Sequence, residues 1–173
     1  MKKNKICMYA GVIVATLVLI VLGISIMIDK KSISITVKYG EKDIEVFNKE
    51  QSFEEIFKKL DIENLVYVKN NEEISINFNG EKPEKITAIE YILNDEGKYK
   101  YGKEKNGEEV ILEWNKSNVI LKVKPNIFTM FSSSGEDYNQ KGILKGYHLV
   151  INYADKKDDY YFVIKGDAAI TNQ

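Results

Sequence analysis

Histidine is the side chain most ready to move protons at neutral pH, and this chain of 173 residues has one, His148. It stands at an alternate position of the run Tyr147 to Tyr153, where a lone imidazole reads as a packed or solvated strand residue. A Ser-His-Asp triad would have to use it, but no Gly-x-Ser-x-Gly elbow is present, and Ser132, Ser133 and Ser134 read as loop residues. With one Cys, Cys7, and one His, no zinc site of His and Cys ligands can be assembled. Gly-rich phosphate loops are missing as well. Carboxylates are plentiful, so the paired acids of a glycosidase are available by composition. Glu108, Glu109 and Glu113, however, fall where a turn or a solvated strand face places them. Asp155, Asp158 and Asp159 lack the alternating Asp/Asn spacing of an EF-hand loop and read as a charged hairpin turn. The expectation is no catalytic residue, no metal site, no small-molecule cofactor and no enzyme.

Aromatic residues give the one pointer to binding. Tyr147, Tyr153, Tyr160 and Tyr161 cluster on two neighbouring strands, with Tyr99 and Tyr101 on another hairpin. An exposed row of this kind would grip a glycan or a partner strand, because tyrosine combines broad apolar area with a polar tip. These four tyrosines are the candidate binding surface. The competing reading is that Tyr suits half-buried sheet positions.

Charge narrows the partners. Against 26 acidic residues stand 25 basic ones, for a formal net of −1, so no overall field recruits nucleic acid. Every basic residue is Lys. Without the planar fork of Arg, bidentate recognition of carboxylates, phosphates or guanine edges is not expected. The lack of Arg, with many Ile, Asn and Tyr, also fits the coding bias of an AT-rich bacterial genome.

The elements that would position these residues begin with an uncharged run from Ile6 to Ile28. As a helix it is about 34 Å long against a hydrocarbon core of about 30 Å, enough for one crossing. Lys2, Lys3 and Lys5 precede it, which favours an inside N-terminus and an extracytoplasmic domain. A cleaved signal peptide is the rival, with Gly23-Ile24-Ser25 as the small-x-small site, but the apolar run is longer than such a peptide needs. Cys7 lies before the apolar core and so cannot be a lipid anchor. Gly11 and Ala15 have a small-xxx-small spacing, which is common in any apolar span. The expected layout is a cytoplasmic tail over 1–5, a transmembrane helix over 6–28, a β-rich subdomain over 32–81, a β-sandwich-like module over 83–167 and a tail over 168–173.

Within the outer part, Ile33, Ile35, Val37 and Tyr39 alternate with polar residues, and Asp43 to Asn48 would complete a hairpin. Ser52, three residues before Glu55, and the spacing Phe53, Ile56, Phe57, Leu60 predict one short helix over 52–60 with an apolar face for the core. Leu65 to Val68 and Glu73 to Phe78 read as strands around Asn70-Asn71. Strand, strand, helix, strand, strand is the order of a β-grasp unit, though the helix is short for one. Lys82-Pro83 is the candidate boundary. Beyond it Ile86 to Leu93, Lys98 to Tyr101, Glu109 to Trp114, Val119 to Lys124, Tyr147 to Tyr153 and Tyr160 to Lys165 read as strands, with turns at Asn94 to Gly97 and Asn115 to Asn118. Short strands at this spacing point to a sandwich or barrel.

Four pieces of this second half, Asn94-Asp95-Glu96-Gly97, Ser132-Ser133 with Asp137-Tyr138, Gly142 to Tyr147, and Tyr161-Phe162-Val163-Ile164, resemble a small β-rich module of membrane-anchored surface proteins of low-GC Gram-positive bacteria. The resemblance covers about residues 83–167. Those proteins have no assigned activity, so it implies an exported β-domain and no functional residues. The expectation is a membrane-anchored, extracytoplasmic, non-enzymatic module that binds a protein or a cell-wall polymer. A subunit of a larger membrane complex and a surface hydrolase using acidic residues are the alternatives.

Overall fold

Alternation dominates the described part of the chain, and it produces two sheets. The computed structural model describes residues 34–48, 51–101, 107–130 and 142–167. The apolar run 6–28, both tails and Ser132 to Ser134 lie outside the described residues, and among those described no helix is long and apolar enough to cross a membrane.

The first sheet has five antiparallel strands in the order β2-β1-β5-β9-β8: β1 (Ser34–Tyr39), β2 (Lys42–Ile44), β5 (Glu73–Asn79), β8 (Leu112–Asn115) and β9 (Asn118–Lys122). Its alternate positions Val37, Ile74, Ile76, Val119 and Leu121 are fully buried, as one apolar face of a period-2 strand requires. The second sheet has six strands. Five run in the order β3-β11-β10-β6-β7: β3 (Phe47–Asn48), β6 (Lys85–Leu93), β7 (Glu108–Val110), β10 (Ile143–Asn152) and β11 (Lys157–Gly166). The sixth, β4 (Tyr67–Val68), lies parallel to the end of β11. Tyr147, Leu149, Ile151, Phe162 and Ile164 form its inner face, with Tyr147 stacked on Phe162 at 4.9 Å.

The outer face of this second sheet is covered too. Ser52 caps α1 (Phe53–Phe57) by accepting the Glu55 N–H at 3.3 Å, and the helix lays Phe53, Ile56 and Phe57 on Tyr91, Leu93, Leu144 and Val163. Gly146 makes the close approach possible: a Cβ there would lie 2.7 Å from both Leu93 Cδ1 and Phe53 Cε1. Phe53 meets Tyr91, Tyr99 and Tyr161 edge-on at 5.5–6.1 Å. Burying such a ring contributes about 1.5–3 kcal/mol.

Several expectations are corrected. The helix ends at Phe57 rather than reaching residue 60. Asp43 to Asn48 is two strands in different sheets, broken at Glu45-Val46. Glu109 to Trp114 also divides, β7 pairing with β6 and β8 with β9, and Ile111 at the crossing is 68% exposed. Lys98 to Tyr101 forms no strand and contributes one bridge, Tyr99 to Leu93. β4 pairs with β11 and not with its chain neighbours, so residues 34–79 do not close a β-grasp sheet of their own. Lys82-Pro83 is a loop and not a boundary between sheets. β5 lies between β1 from before it and β9 from after it, and from Ser34 onward the chain is one unit.

Candidate functional site

Two of the inward positions on the central strands of the second sheet are charged. Ala88, Glu90 and Ile92 share the inner face of β6, and Lys145, Tyr147 and Leu149 that of β10. Glu90 is directly opposite Tyr147, and Lys145 is on the next inward pair. Lys145 is wholly buried, Glu90 is 4% exposed, and Asn126, in the segment that leaves β9, is 1% exposed. Burial at this depth demands partners for every polar atom.

The partners are present. Lys145 Nζ donates to both Glu90 oxygens at 3.3 Å and to the Lys124 carbonyl at 2.5 Å. Tyr147 Oη donates to Glu90 Oε2 at 2.5 Å. Asn126 Nδ2 donates to Glu90 Oε1 at 2.9 Å, and its Oδ1 accepts the Phe128 N–H at 2.9 Å, opening the short helix α2 (Ile127–Met130). Thr129 Oγ1 donates to the Asn126 carbonyl, and Glu108, opposite Glu90 on β7, accepts the Ile127 N–H. Burial, then the Glu90 charge, then the hydrogen bond to it push the Tyr147 phenol far above its ordinary value. Gly166 leaves room for the lysine: a Cβ there would lie 2.9 Å from Lys145 Cδ and Cε. The two sheets meet across this cluster, because Lys124 and Asn126 follow a strand of the first sheet and Glu90, Lys145 and Tyr147 belong to the second.

The sequence-derived candidates fall elsewhere. The four tyrosines do not make one exposed row: Tyr147 is fully buried, Tyr153 and Tyr160 are 5% and 6% exposed on the inner side, and Tyr161 faces outward beside α1. Aromatic rings fill the interior here, as half-buried sheet positions favour. His148 is on the outer face, its Nε2 2.7 Å from Asp159 Oδ1 and its ring stacked on Tyr161 at 4.4 Å. Asp158 pairs with Lys156 at 2.8 Å. Glu109 and Glu113 are exposed. Among the described residues no three His, Cys, Asp or Glu side chains gather as a metal would need. An open cleft of about 330 Å³ beside Asn94, Asp95, Lys100 and Ile143 brings together one acid and one lysine.

A second feature is on the outside of the first sheet. Register places Thr36, Asn77, Asn118 and Asn115 side by side across β1, β5, β9 and β8. Ser75 Oγ accepts from Asn118 Nδ2 at 2.8 Å and from Asn77 Nδ2 at 3.4 Å. At a strand spacing of about 4.8 Å the row spans about 14 Å. On the opposite, inner face at the edge strand β8, Trp114 is paired with the buried Val119; it is 45% exposed, packed on Phe78 at 6.1 Å, with Lys82 Nζ 4.6 Å from its ring.

Neither feature was singled out from the sequence. A readable signal exists for the first: Glu90 and Lys145 interrupt the apolar positions of Ala88-x-x-x-Ile92 and Ile143-x-x-x-Tyr147. For the second, cross-strand register was needed.

Among the described residues the fold is mainly β, two sheets in a sandwich-like arrangement with few helices. Compared with known family models, curated proteins and solved structures, the chain matches none.

Proposed function

We propose that the chain is an extracytoplasmic, non-enzymatic module, tethered through its N-terminal apolar run, that binds a polyhydroxylated cell-wall polymer on the outer face of its five-stranded sheet. The observation that carries this reading is the row Thr36, Asn77, Asn118 and Asn115. Neutral amides and hydroxyls both donate and accept, which suits sugar hydroxyls, and a flat row of four strands suits an extended chain. The polar groups that do converge in the interior are closed off and mutually satisfied, which supports binding over hydrolysis.

The test is co-sedimentation of the detergent-solubilised full chain with purified, insoluble cell-wall material. The chain is expected to pellet with the wall, and the pair Asn77→Ala with Asn118→Ala to lower the pelleted fraction about tenfold, the scale of one or two lost hydrogen bonds. A chain that stays in the supernatant, or a double variant that pellets like the parent, ends this reading.

A further inference from the structure

Lysine, asparagine and a carboxylate held together in a dry core are the components of an amide-forming reaction, and here they are assembled on one oxygen. Glu90 Oε1 receives hydrogen bonds from Lys145 Nζ at 3.3 Å and from Asn126 Nδ2 at 2.9 Å, so the amine and the amide are within about 6 Å of each other. The Lys124 carbonyl, two residues before Asn126, holds Nζ at 2.5 Å against the backbone of that same segment. The side-chain Oδ1 of Asn126 already accepts the Phe128 N–H, which polarises the Cγ that would be attacked and would stabilise the negative charge developing on that oxygen. Water, the competing nucleophile, is excluded: Lys145, Asn126 and Glu90 are 0%, 1% and 4% exposed.

We infer that Lys145 and Asn126 become joined by an intramolecular isopeptide bond, with Glu90 carrying the protons. The ammonium of Lys145 gives a proton to the Glu90 carboxylate, and the free amine attacks Asn126 Cγ. Glu90 returns its proton to the tetrahedral adduct as the Cγ–Nδ2 bond breaks. The second Nζ proton also moves to the departing nitrogen, which with these two added protons leaves as ammonium. The products are a secondary amide from Nζ to Cγ, one ammonium ion and Glu90 as the carboxylate it began as. No oxidant, cofactor or metal enters the balance. Tyr147, donating to Glu90 Oε2, is a positioning residue that leaves Oε1 turned to the two nitrogens. The bond would tie β10 of the second sheet to the segment leaving β9 of the first, fastening the sandwich from within. A chain whose one cysteine, Cys7, precedes the domain has no disulfide available there for the same purpose. The inference is independent of what the outer sheet face binds.

Mass spectrometry of the full chain decides it. Wild-type chain digested with a lysine-specific protease is expected to yield a branched peptide joining the segments that carry Asn126 and Lys145, uncut after Lys145 and lighter than the two segments by about 17 Da, the mass of the lost ammonia. Lys145→Met and Asn126→Ala abolish the branched peptide, and Glu90→Gln lowers its yield at least tenfold. Asn126→Asp forms the same branched peptide with loss of about 18 Da, because water leaves in place of ammonia. Recovery of both segments from wild type, unbranched and at their sequence masses, overturns the inference whatever the variants do. A branched peptide that forms at full yield in Glu90→Gln overturns the role given to Glu90.

Discussion

Strand β10 carries two residues, three positions apart, that each contact a carboxylate, and they live in opposite environments. Lys145 points inward to Glu90 with contacts of 3.3 Å, the side chains 0% and 5% exposed; His148 points outward to Asp159 at 2.7 Å, the side chains 17% and 30% exposed. The longer contact is the one the fold depends on. A buried charge has no water to fall back on, so losing its partner incurs the whole desolvation penalty, whereas a part-exposed pair exchanges its partner for solvent. The same strand thus shows that burial, and not contact distance, ranks such interactions.

The sharpest way to break the comparison is Glu90→Ala. It leaves the buried Lys145 without its carboxylate, held by the Lys124 carbonyl, removes the acceptor of Tyr147 and Asn126 together, and is expected to lower unfolding free energy by about 3–5 kcal/mol in chemical denaturation. A loss below about 1 kcal/mol would put the inner pair on the same footing as the outer one.

Next in size is Gly146→Ala, which tests the sheet from its outer side. The added methyl meets Leu93 and Phe53 at 2.7 Å, and because Phe53 is wedged among Tyr91, Tyr99 and Tyr161 it has little room to yield. Overpacking of this kind costs about 1–3 kcal/mol. A crystal structure of the variant should show α1 displaced from β10; an unshifted helix with unchanged stability would mean that the aromatic layer is looser than its geometry implies.

His148→Ala stands third. Its partner Asp159 also lies 3.8 Å from Lys157 Nζ, so removing the imidazole leaves the carboxylate with the lysine ammonium and with water. The expected loss is about 0.5–1 kcal/mol, part of it from the stacking on Tyr161. A loss as large as that of Glu90→Ala would erase the distinction drawn from burial.

The same contrast explains what could be read from the residues alone. Strands whose inward positions are all apolar, such as β1 and β5, announce themselves by period, and α1 by Ser52 and the spacing of Phe53, Ile56 and Phe57. The helix nevertheless stops at Phe57, and the chain goes on as a turn in which the Lys59 and Leu60 N–H groups both donate to the Ile56 carbonyl. Where a continuous run changes sheet, at Glu45-Val46 and at Ile111, alternation carries no mark of the crossing, because both halves satisfy it separately. The tyrosines misled for a related reason: periodicity tells which residues share a face, not which face is covered. Glu90, Lys145 and Asn126 come from three separate segments, and only the antiparallel register of β6 with β10, together with the path of the chain leaving β9, brings them to one point.

The smallest effect expected is confined to high pH, and it contrasts Tyr147 with Tyr67, which is near the surface. Tyr67 donates to Asp167, and that hydrogen bond, then burial and the nearby charges of Asp167 and Glu72, raise its phenol to about 12; burial does the same for Tyr153. A raised phenol means that the folded state favours the proton. Its contribution is therefore complete below the unfolded value near 10 and is lost as pH climbs from there toward 12. Unfolding midpoints should be flat up to pH 10 and decline above it, and Tyr67→Phe should flatten part of that decline while changing neutral-pH stability by only about 0.5 kcal/mol, as for an exposed surface contact. Phenolate absorbance sharpens the contrast: Tyr67 is expected to ionise in the folded chain near pH 12, and Tyr147 only as the chain unfolds, because its proton is sealed in beside Glu90. If Tyr147 ionised along with Tyr67, the interior around Glu90 would have to be open to solvent, and the inner side of β10 would no longer differ from its part-exposed outer side.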